Sequence, residues 1–479
     1  MTRLVTRRAV LGGATGVLAA VGIQGTTALG QHDWISPGYA NPPTSLAPEA
    51  IQPESARTAW FREAKFGLFI HWGPYSVASV TPSWTIMEPT GAIERARMPP
   101  GGMSEAEYRG LAKLFNPVKF DPDAFVELAR SAGQRYITFV TKHHDGFCMF
   151  DSLYTDYKIT NTPYKRDITK QLADACERDG MPLAFYYSPP DMNHPAFRDT
   201  SKPASTNWLG EPTRPQWPIY LEYMGLQLTE LLTRYGPVAT IWFDAIGQKP
   251  EKYDGRRFLR LIHEISPNTL INDRLGIGGD FITPEKFVPT RIPVKGGPMP
   301  TRKDPVSTNI PEHEEFRLFE TCAIITKDDW SYNKNAHEFK SSQQLIRLLV
   351  DIVSRGGNLL LDIGPKPDGT IQSEFQVRLR AMGIWLRVNG DAIYGTTYGP
   401  LQGLPFARTT AKGKNIYIHV FDWPKGALEL PSIGKKILYA ALLSSNKPLV
   451  FRQDARTISI DLPTETPDPD VSVIRLETA

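Results

Sequence analysis

Short apolar runs alternate with amphipathic stretches along most of the chain. The runs cover residues 66–70, 136–141, 183–187, 238–243, 269–271 and 358–363, with two weaker candidates near residues 281 and 324. Between them, apolar residues recur three and four positions apart, as at 123–132, 169–178, 220–235 and 343–353, which is the period of a helix. Buried strands that alternate with helices are typical of a parallel sheet covered on both faces. The pattern predicts a (β/α)₈-like barrel of TIM type, regular or irregular, over residues 56–395.

The pattern changes after residue 390. Shorter segments of alternating polarity follow at 415–420, 436–442, 458–462 and 471–476, separated by turn residues. Such segments predict an antiparallel β-sandwich over residues 396–479. No glycine-rich phosphate-binding fingerprint follows the first apolar run, which disfavours an open nucleotide-binding sheet.

The first 30 residues have the features of an export signal. The pair Arg7-Arg8 precedes a small, apolar stretch at 9–23, and Ala28 and Gly30 suit a cleavage site. Two adjacent arginines in this place resemble a twin-arginine signal, which predicts a periplasmic or extracellular protein. The alternative is an uncleaved membrane anchor, which the many Gly, Ala and Thr residues of the stretch disfavour.

Charge and composition narrow the function classes. The formal charge is +3, and the first 30 residues hold three arginines and no acid, so the remainder is balanced. A balanced chain has no basic field for a polyanion, which argues against a nucleic-acid partner. Residues 31–55 are rich in Pro, Ser and Gly and predict an extended lead-in, and no later run is long enough to span a membrane. Three cysteines without metal-ligand spacing exclude a disulfide framework and favour buried free thiols, although one bridge stays open.

Reactive side chains follow the predicted strands where each strand ends. They are His71, His143, His144, Tyr186, Asp244 and Arg274. In a (β/α)₈ barrel the carboxyl ends of the strands meet at one face, where active sites lie. Imidazole, phenol and guanidinium groups bind hydroxyls, and tryptophan faces cover the apolar side of a sugar ring. The set predicts a site for a neutral polyhydroxylated ligand, although each residue alone also has a purely structural interpretation.

Hydrolysis of a glycosidic bond requires two carboxyl groups, which in a retaining enzyme stand ~5–5.5 Å apart. Asp244 follows the apolar residues 241–243 and is the first candidate. The second must come from a loop over the same face, and the candidates are Glu285 in GDFITPE (279–285) and Glu320 in FETC (319–322).

Several motifs together make the chain recognisable. They are KFGLFIHWG (65–73), KHHDGF (142–147), TPYKRD (162–167), FYYS (185–188), IWFD (241–244), NDR (272–274), NLLLDIGP (358–365) and DG (368–369). In this order they resemble the α-L-fucosidase family of retaining glycoside hydrolases, from about residue 57 to 395. The resemblance implies an exo-acting enzyme that removes terminal α-L-fucose from glycoconjugates or oligosaccharides by double displacement, with no metal or organic cofactor.

The resemblance also implies residue roles. Asp244 matches the nucleophile, and Glu285 matches the acid/base, with Glu320 as runner-up. His71, His143, His144, Tyr186 and Arg274 match residues that bind the fucose, and Trp84, Trp242 and Trp330 are candidate walls of the pocket. The chain departs from the family pattern at Ala245, at Ser83 before Trp84 and across residues 288–311.

Two other functions remain open at this point. One is a glycan-binding protein on the same fold without turnover, since a fold does not fix a function. The other is a metal-dependent hydrolase with His71, His143 and His144 as ligands, which is strained because adjacent residues of a strand point to opposite sides.

Overall fold

The computed structural model describes residues 54–99, 101–245 and 250–479; the predicted export signal (1–30) and most of the lead-in (31–55) lie outside these ranges. Within them, seven parallel strands form one curved sheet in the order β5-β4-β3-β2-β1-β7-β6. The strands are β1 (Phe66–Ile70), β2 (Ile137–Lys142), β3 (Leu183–Tyr187), β4 (Thr240–Phe243), β5 (Leu270–Ile271), β6 (Glu320–Ile324) and β7 (Asn358–Ile363). All six predicted strands are confirmed, and β6 confirms the weaker candidate near residue 324.

The gap between β5 and β6 is filled by residues 280–286, an irregular strand-like segment. Isolated parallel bridges pair Asn272 with Phe281 on one side and Ile282 with Phe319 on the other. The segment predicted near residue 281 is thus in strand position but does not form a continuous ladder. Pro284 explains the interruption, because it has no N–H to donate to β6. The result is an irregular, barrel-like sheet, as the sequence predicts.

The described ranges contain fourteen α-helices, and the longer ones alternate with the strands along the chain. They are α1 (Glu54–Arg57), α2 (Ala59–Ala64), α3 (Tyr75–Ala78), α4 (Trp84–Met87), α5 (Ala92–Arg97), α6 (Glu105–Gly110), α7 (Pro122–Ser131), α8 (Ile168–Asp179), α9 (Ala204–Asn207), α10 (Trp217–Arg234), α11 (Pro250–Tyr253), α12 (Gly255–Ile265), α13 (Ser342–Val353) and α14 (Ser373–Asn389). The four helices predicted from periodicity correspond to α7, α8, α10 and α13. Asp121 and Asp167 cap the N-termini of α7 and α8 through side-chain oxygens, which fixes where these helices begin.

The C-terminal region forms two antiparallel sheets, which confirms the predicted β-sandwich. Its strands are β8 (Thr397–Tyr398), β9 (Ala407–Lys412), β10 (Asn415–Val420), β11 (Ala427–Pro431), β12 (Ile437–Leu442), β13 (Phe451–Gln453), β14 (Thr457–Asp461) and β15 (Ser472–Thr478). They pair as β12-β15-β10-β9-β8 and β11-β14-β13. Leu428 and Ile458 of the smaller sheet and Ile418 and Ile474 of the larger one share one buried core. The domain boundary at residues 395/396 stays a prediction.

Two further observations bear on the predicted compartment and chemistry. All three cysteines are buried free thiols, as the sequence favours. Across the described ranges, no helix combines the length and the apolar character that crossing a bilayer requires.

Candidate active site

A cavity of about 270 Å³ opens at the carboxyl ends of the barrel strands. It is lined by Phe69, His71, Pro82, Trp84, His143, His144, Tyr186, Trp242, Asp244, Ala245, Arg274, Glu285, Cys322 and Trp330. The structure thus brings together every site residue predicted from the sequence except Glu320. A volume of this size is at the small end of the range for ligand pockets and suits a single sugar ring.

Asp244 and Glu285 both contact the guanidinium group of Arg274. Nη1 donates to Oδ1 of Asp244 at 2.8 Å, and Nη2 donates to Oε2 of Glu285 at 3.1 Å. The side chain of Asp244 is 19% exposed and that of Glu285 is 42% exposed. One carboxyl group therefore lies inside the cavity and the other at its rim. Both acids raise the pKa of Arg274 against the opposing effect of burial, so the guanidinium stays charged.

Local structure fixes where these three residues point. Asp244 directly follows β4, and its Oδ2 accepts a hydrogen bond of 2.8 Å from the Tyr186 phenol at the end of β3. Arg274 also donates to the Thr283 hydroxyl at 2.9 Å and to the Thr283 carbonyl at 3.1 Å. The irregular segment 280–286 therefore holds the Arg274 head group and carries Glu285 alongside it.

His144 has a defined tautomer. The Ser188 hydroxyl donates its only hydrogen to the carbonyl of Pro190 at 2.7 Å, so its oxygen accepts from Nδ1–H of His144 at 2.6 Å. Burial, together with the charges of Lys142 and Arg274, lowers the pKa of His144 to about 3, which keeps the imidazole neutral. Its Nε2 therefore carries a lone pair, 3.6 Å from Oδ2 of Asp244. This nitrogen can accept a hydrogen bond from a ligand hydroxyl close to Asp244.

The other two histidines are also held through Nδ1. Nδ1 of His71 lies 2.6 Å from Oδ1 of Asp362 on β7, and Nδ1 of His143 lies 2.6 Å from the Ser83 hydroxyl. Burial lowers the pKa of both imidazoles well below the usual value, so both rings are neutral. Neutral imidazoles suit uncharged hydroxyl groups.

His143 and His144 both face the cavity, which strand alternation alone does not predict. The two residues lie after the end of β2, in a turn in which the Gly146 amide donates to the His143 carbonyl at 3.0 Å. The pleat that sends neighbouring side chains to opposite faces has ended there, and the two ring centroids are 4.3 Å apart.

Aromatic rings form the floor and one wall of the cavity. Tyr186 stacks on Trp242 with ring centroids 5.6 Å apart, and the Arg274 guanidinium lies 4.7 Å from the Trp242 ring. Trp330 packs at 5.0 Å against His71. These faces offer apolar surface to the C–H groups of a sugar ring.

Glu320 lies beneath the cavity floor and is 1% exposed. One carboxyl oxygen accepts from the Tyr136 phenol, and the other accepts from the Trp242 indole at 2.8 Å. Burial raises the pKa of Glu320 to about 7. The side chain fixes the orientation of Trp242 and does not line the cavity.

The residues best placed to bind a metal ion are not the three histidines considered from the sequence. Among the described residues, His143, His144 and Asp244 bring one ligand atom each within 4.8 Å of one another, and His71 does not belong to this group. Asp244 already accepts from a guanidinium and a phenol. A divalent cation would therefore lie next to the positive charge of Arg274, which opposes its binding.

Sequence reasoning did not select several residues that hold the site together. Ser83, Ser188, Asp362 and Thr283 each orient a residue of the cavity through the hydrogen bonds described above. Asp362 carries a detectable signal, because it is an acid inside an otherwise apolar strand. The hydroxyl residues carry none, since serine and threonine are common in loops.

The chain is similar to known proteins of one family. Residues 41–391 match the model of the α-L-fucosidase family. The plasma α-L-fucosidase of Homo sapiens is 31% identical over 432 residues, which cover 85% of this chain and 86% of that protein. The α-L-fucosidase of Branchiostoma floridae is 30% identical over 419 residues, with 79% of this chain and 84% of that protein covered.

Solved structures are similar as well. The α-L-fucosidase isoenzyme 1 from Paenibacillus thiaminolyticus superposes with a TM-score of 0.76 at 31% identity, covering 89% of this chain and 99% of that one. A trapped covalent intermediate of a Bacteroides thetaiotaomicron α-L-fucosidase with 2-fluoro-fucosyl fluoride superposes with a TM-score of 0.73 at 26% identity, covering 90% and 97%.

Proposed function

The chain belongs to the α-L-fucosidase family, and from this premise we propose that it is a retaining exo-glycosidase that removes terminal α-L-fucose from glycoconjugates or oligosaccharides. One observation carries the proposal: Asp244 and Glu285 line one cavity and share the guanidinium of Arg274. Two carboxyl groups beside one sugar-sized pocket are what double displacement requires.

In the first step a carboxylate oxygen of Asp244 attacks the anomeric carbon and forms a glycosyl ester. Glu285 donates a proton to the departing glycosidic oxygen. In the second step Glu285 takes a proton from water, and that water cleaves the ester. The greater exposure of Glu285 supports its role, because the leaving group departs through the rim while the fucose stays inside. The trapped intermediate of the Bacteroides thetaiotaomicron enzyme supports a covalent route by analogy.

The fucose ring would be held by the neutral histidines and the aromatic faces. His71, His143 and His144 would exchange hydrogen bonds with its hydroxyls, and Arg274 and Tyr186 would orient the Asp244 carboxylate for attack. Hydrogen-bond donors that are already oriented around a nucleophile lower the activation free energy, because they need not reorganise during the reaction.

The two alternative functions have weaker support. The charge of Arg274 opposes a metal ion on His143, His144 and Asp244, as argued above. A glycan-binding protein without turnover would need neither of the two carboxyl groups beside Arg274. We also propose export by the twin-arginine route to the periplasm or the medium, supported by Arg7-Arg8 before the apolar stretch at 9–23.

The function is tested by hydrolysis of aryl α-L-fucosides alongside other aryl glycosides, with Glu285→Ala and Glu320→Ala as paired variants. We expect turnover of the fucoside alone. Glu285→Ala should slow substrates with poor leaving groups at least about 100-fold, and activated aryl fucosides far less, because only poor leaving groups need the proton. If Glu320→Ala shows that selectivity and Glu285→Ala does not, the assignment of the acid/base is wrong.

A further inference from the structure

The aromatic wall of the cavity continues outward beyond the fucose-sized space. Trp84 lines the cavity, whereas Trp208, which directly follows α9, does not. Their ring centroids are 5.7 Å apart with the planes at 63°. Both side chains are half-buried, and Leu209 next to Trp208 is exposed. The two indoles therefore form a bent apolar surface that leads from the cavity towards solvent.

The indole N–H groups of this pair differ from most others in the chain. Those of Trp72, Trp217, Trp242, Trp385 and Trp423 each donate to a carbonyl or carboxylate oxygen. In the described part of the chain, neither the Trp84 nor the Trp208 indole N–H donates a hydrogen bond, and neither nitrogen is a buried unsatisfied atom. Both N–H groups are thus accessible and available to a ligand.

Packing holds Trp208 in place. Gly210 adopts a φ of +77°, and a Cβ there would lie 2.6 Å from the Phe197 ring, so the chain passes close to that ring. The Lys252 ammonium donates to the Leu209 carbonyl, and the Glu211 amide donates to the Phe197 carbonyl at 3.0 Å. A surface fixed in this way needs little ordering when a ligand binds.

Nearby charges on this segment are already paired. Glu211 contacts Arg214 at 3.1 Å, and Asp199 contacts Lys202 at 3.3 Å. Around Trp208 the surface therefore offers an apolar face and a neutral N–H donor beside paired charges. A pyranose ring presents C–H faces and hydroxyl oxygens, which match both features.

We propose that Trp84 and Trp208 form a leaving-group subsite that binds the sugar ring attached to fucose. The inference rests on the proposed function and specifies it: the substrate class is a fucosylated oligosaccharide, and the bond cleaved joins fucose to another sugar. Trp208 acts on specificity and lies outside the set of residues that contact the fucose.

The test compares two substrates that differ in the leaving group. α-L-Fucosyl fluoride has no leaving-group sugar, whereas a fucosylated disaccharide such as fucosyl-galactose has one. In Trp208→Ala, the ratio of kcat/KM for the disaccharide to kcat/KM for the fluoride should fall about tenfold, and Trp208→Phe should retain most of the ratio. Trp423→Ala, at a half-buried tryptophan of the C-terminal sheets, is the matched control.

The unmodified protein provides a second measurement in case Trp208→Ala does not fold. Its kcat/KM for the disaccharide should exceed that for methyl α-L-fucoside about tenfold. An unchanged ratio in Trp208→Ala, or equal values for the disaccharide and the methyl fucoside, would overturn the subsite. Failure to hydrolyse fucosyl fluoride would instead overturn the proposed function.

Discussion

At the scale of single residues, the hydrogen bonds of a neighbouring serine determine which nitrogen of His144 can accept a hydrogen bond from a ligand. The Ser188 hydroxyl has one hydrogen and donates it to the Pro190 carbonyl. In the contact between Ser188 and His144, the imidazole Nδ1–H is therefore the donor. The lone pair of His144 then points towards Asp244 and towards any hydroxyl bound beside it. The Ser188 hydroxyl, which does not line the cavity, thereby determines which nitrogen of the cavity-lining His144 ring carries a lone pair.

Removal of the Ser188 hydroxyl should release this constraint. In Ser188→Ala the His144 ring can adopt either tautomer, and we expect kcat to fall about tenfold because Nδ1–H loses its buried acceptor. The ¹⁵N shifts of the His144 ring report the tautomer directly. Ser354→Ala is the control. The Ser354 hydroxyl is also buried and also donates to a backbone carbonyl, in this case that of Asp351 on α13. A single unchanged tautomer with normal kcat would contradict the argument.

Glu320 should make stability depend on pH. In the unfolded chain the Glu320 carboxyl has its usual pKa of 4.5. In the folded protein burial disfavours the anion and raises the pKa to about 7. The folded state therefore binds more protons between these values, and this residue lowers the free energy of unfolding by up to about 3 kcal/mol as pH rises through the window. In Glu320→Gln that contribution should disappear, so the free energy of unfolding at pH 7 minus that at pH 4.5, measured with denaturant, should be more positive than in the parent by up to about 3 kcal/mol. An identical pH dependence would refute it.

The residue scale is also where prediction from sequence fails most often. The strand ends predicted that His71, Asp244 and Arg274 meet, and the cavity confirms it. Strand alternation alone does not predict that His143 and His144 face the same way, because a turn replaces the pleat there, whereas the family resemblance placed both in the site. Trp208 was not selected, because its contact with Trp84 joins two residues that are 124 positions apart in the chain.

At the scale of elements, the loop that carries Trp330 depends on a close approach to β7. A Cβ at Gly364, directly after β7, would lie 2.3 Å from the Tyr332 amide nitrogen and 2.4 Å from the Ser331 carbonyl carbon. Backbone atoms cannot rotate out of the way as a side chain can. Gly364 is therefore required for a steric reason, because a larger residue would collide with the backbone of the Trp330 loop. The sequence alone did not reveal this contact.

Gly364→Ala should consequently displace the loop and Trp330 with it. We expect KM for an aryl fucoside to rise several-fold and the free energy of unfolding to fall by about 1–3 kcal/mol, since overpacking costs that much. Gly278→Ala is the matched control, because nothing lies within 4 Å of the Cβ it would add. Equal KM and equal stability in both variants would show that the loop accommodates the methyl group.

The positions of the strands were predictable from the sequence, but the interruption of the strand-like segment 280–286 was not. Apolar runs located six of the seven strands of the barrel sheet, and a weaker run located the seventh, because burial on both faces requires apolar residues. Residues 280–286 fill the place of a strand without forming a regular one, since Pro284 interrupts the ladder in the segment that carries Glu285. Local irregularity of this kind depends on pairing partners distant in sequence.

At the scale of the whole molecule, α14 and the turn that follows it make some of the contacts between the barrel and the C-terminal region. The Trp385 indole donates to the Val471 carbonyl at 2.9 Å, and the Thr410 hydroxyl of β9 donates to the Ala392 carbonyl at 2.7 Å. The C-terminal sheets contribute no residue to the cavity lining. The sequence predicted both parts from their different periods, but the contacts between them follow only from the folded chain.

The central claim is that Asp244 forms a covalent bond to fucose, and it is tested most directly by trapping on the intact protein. The chain is incubated with 2-fluoro-fucosyl fluoride, and the adduct is located by peptide mass spectrometry. We predict one fluorofucosyl group per chain, esterified to Asp244, and none in Asp244→Asn. An adduct on any other carboxylate, or hydrolysis of α-L-fucosides by Asp244→Asn at the parent rate, would contradict the account.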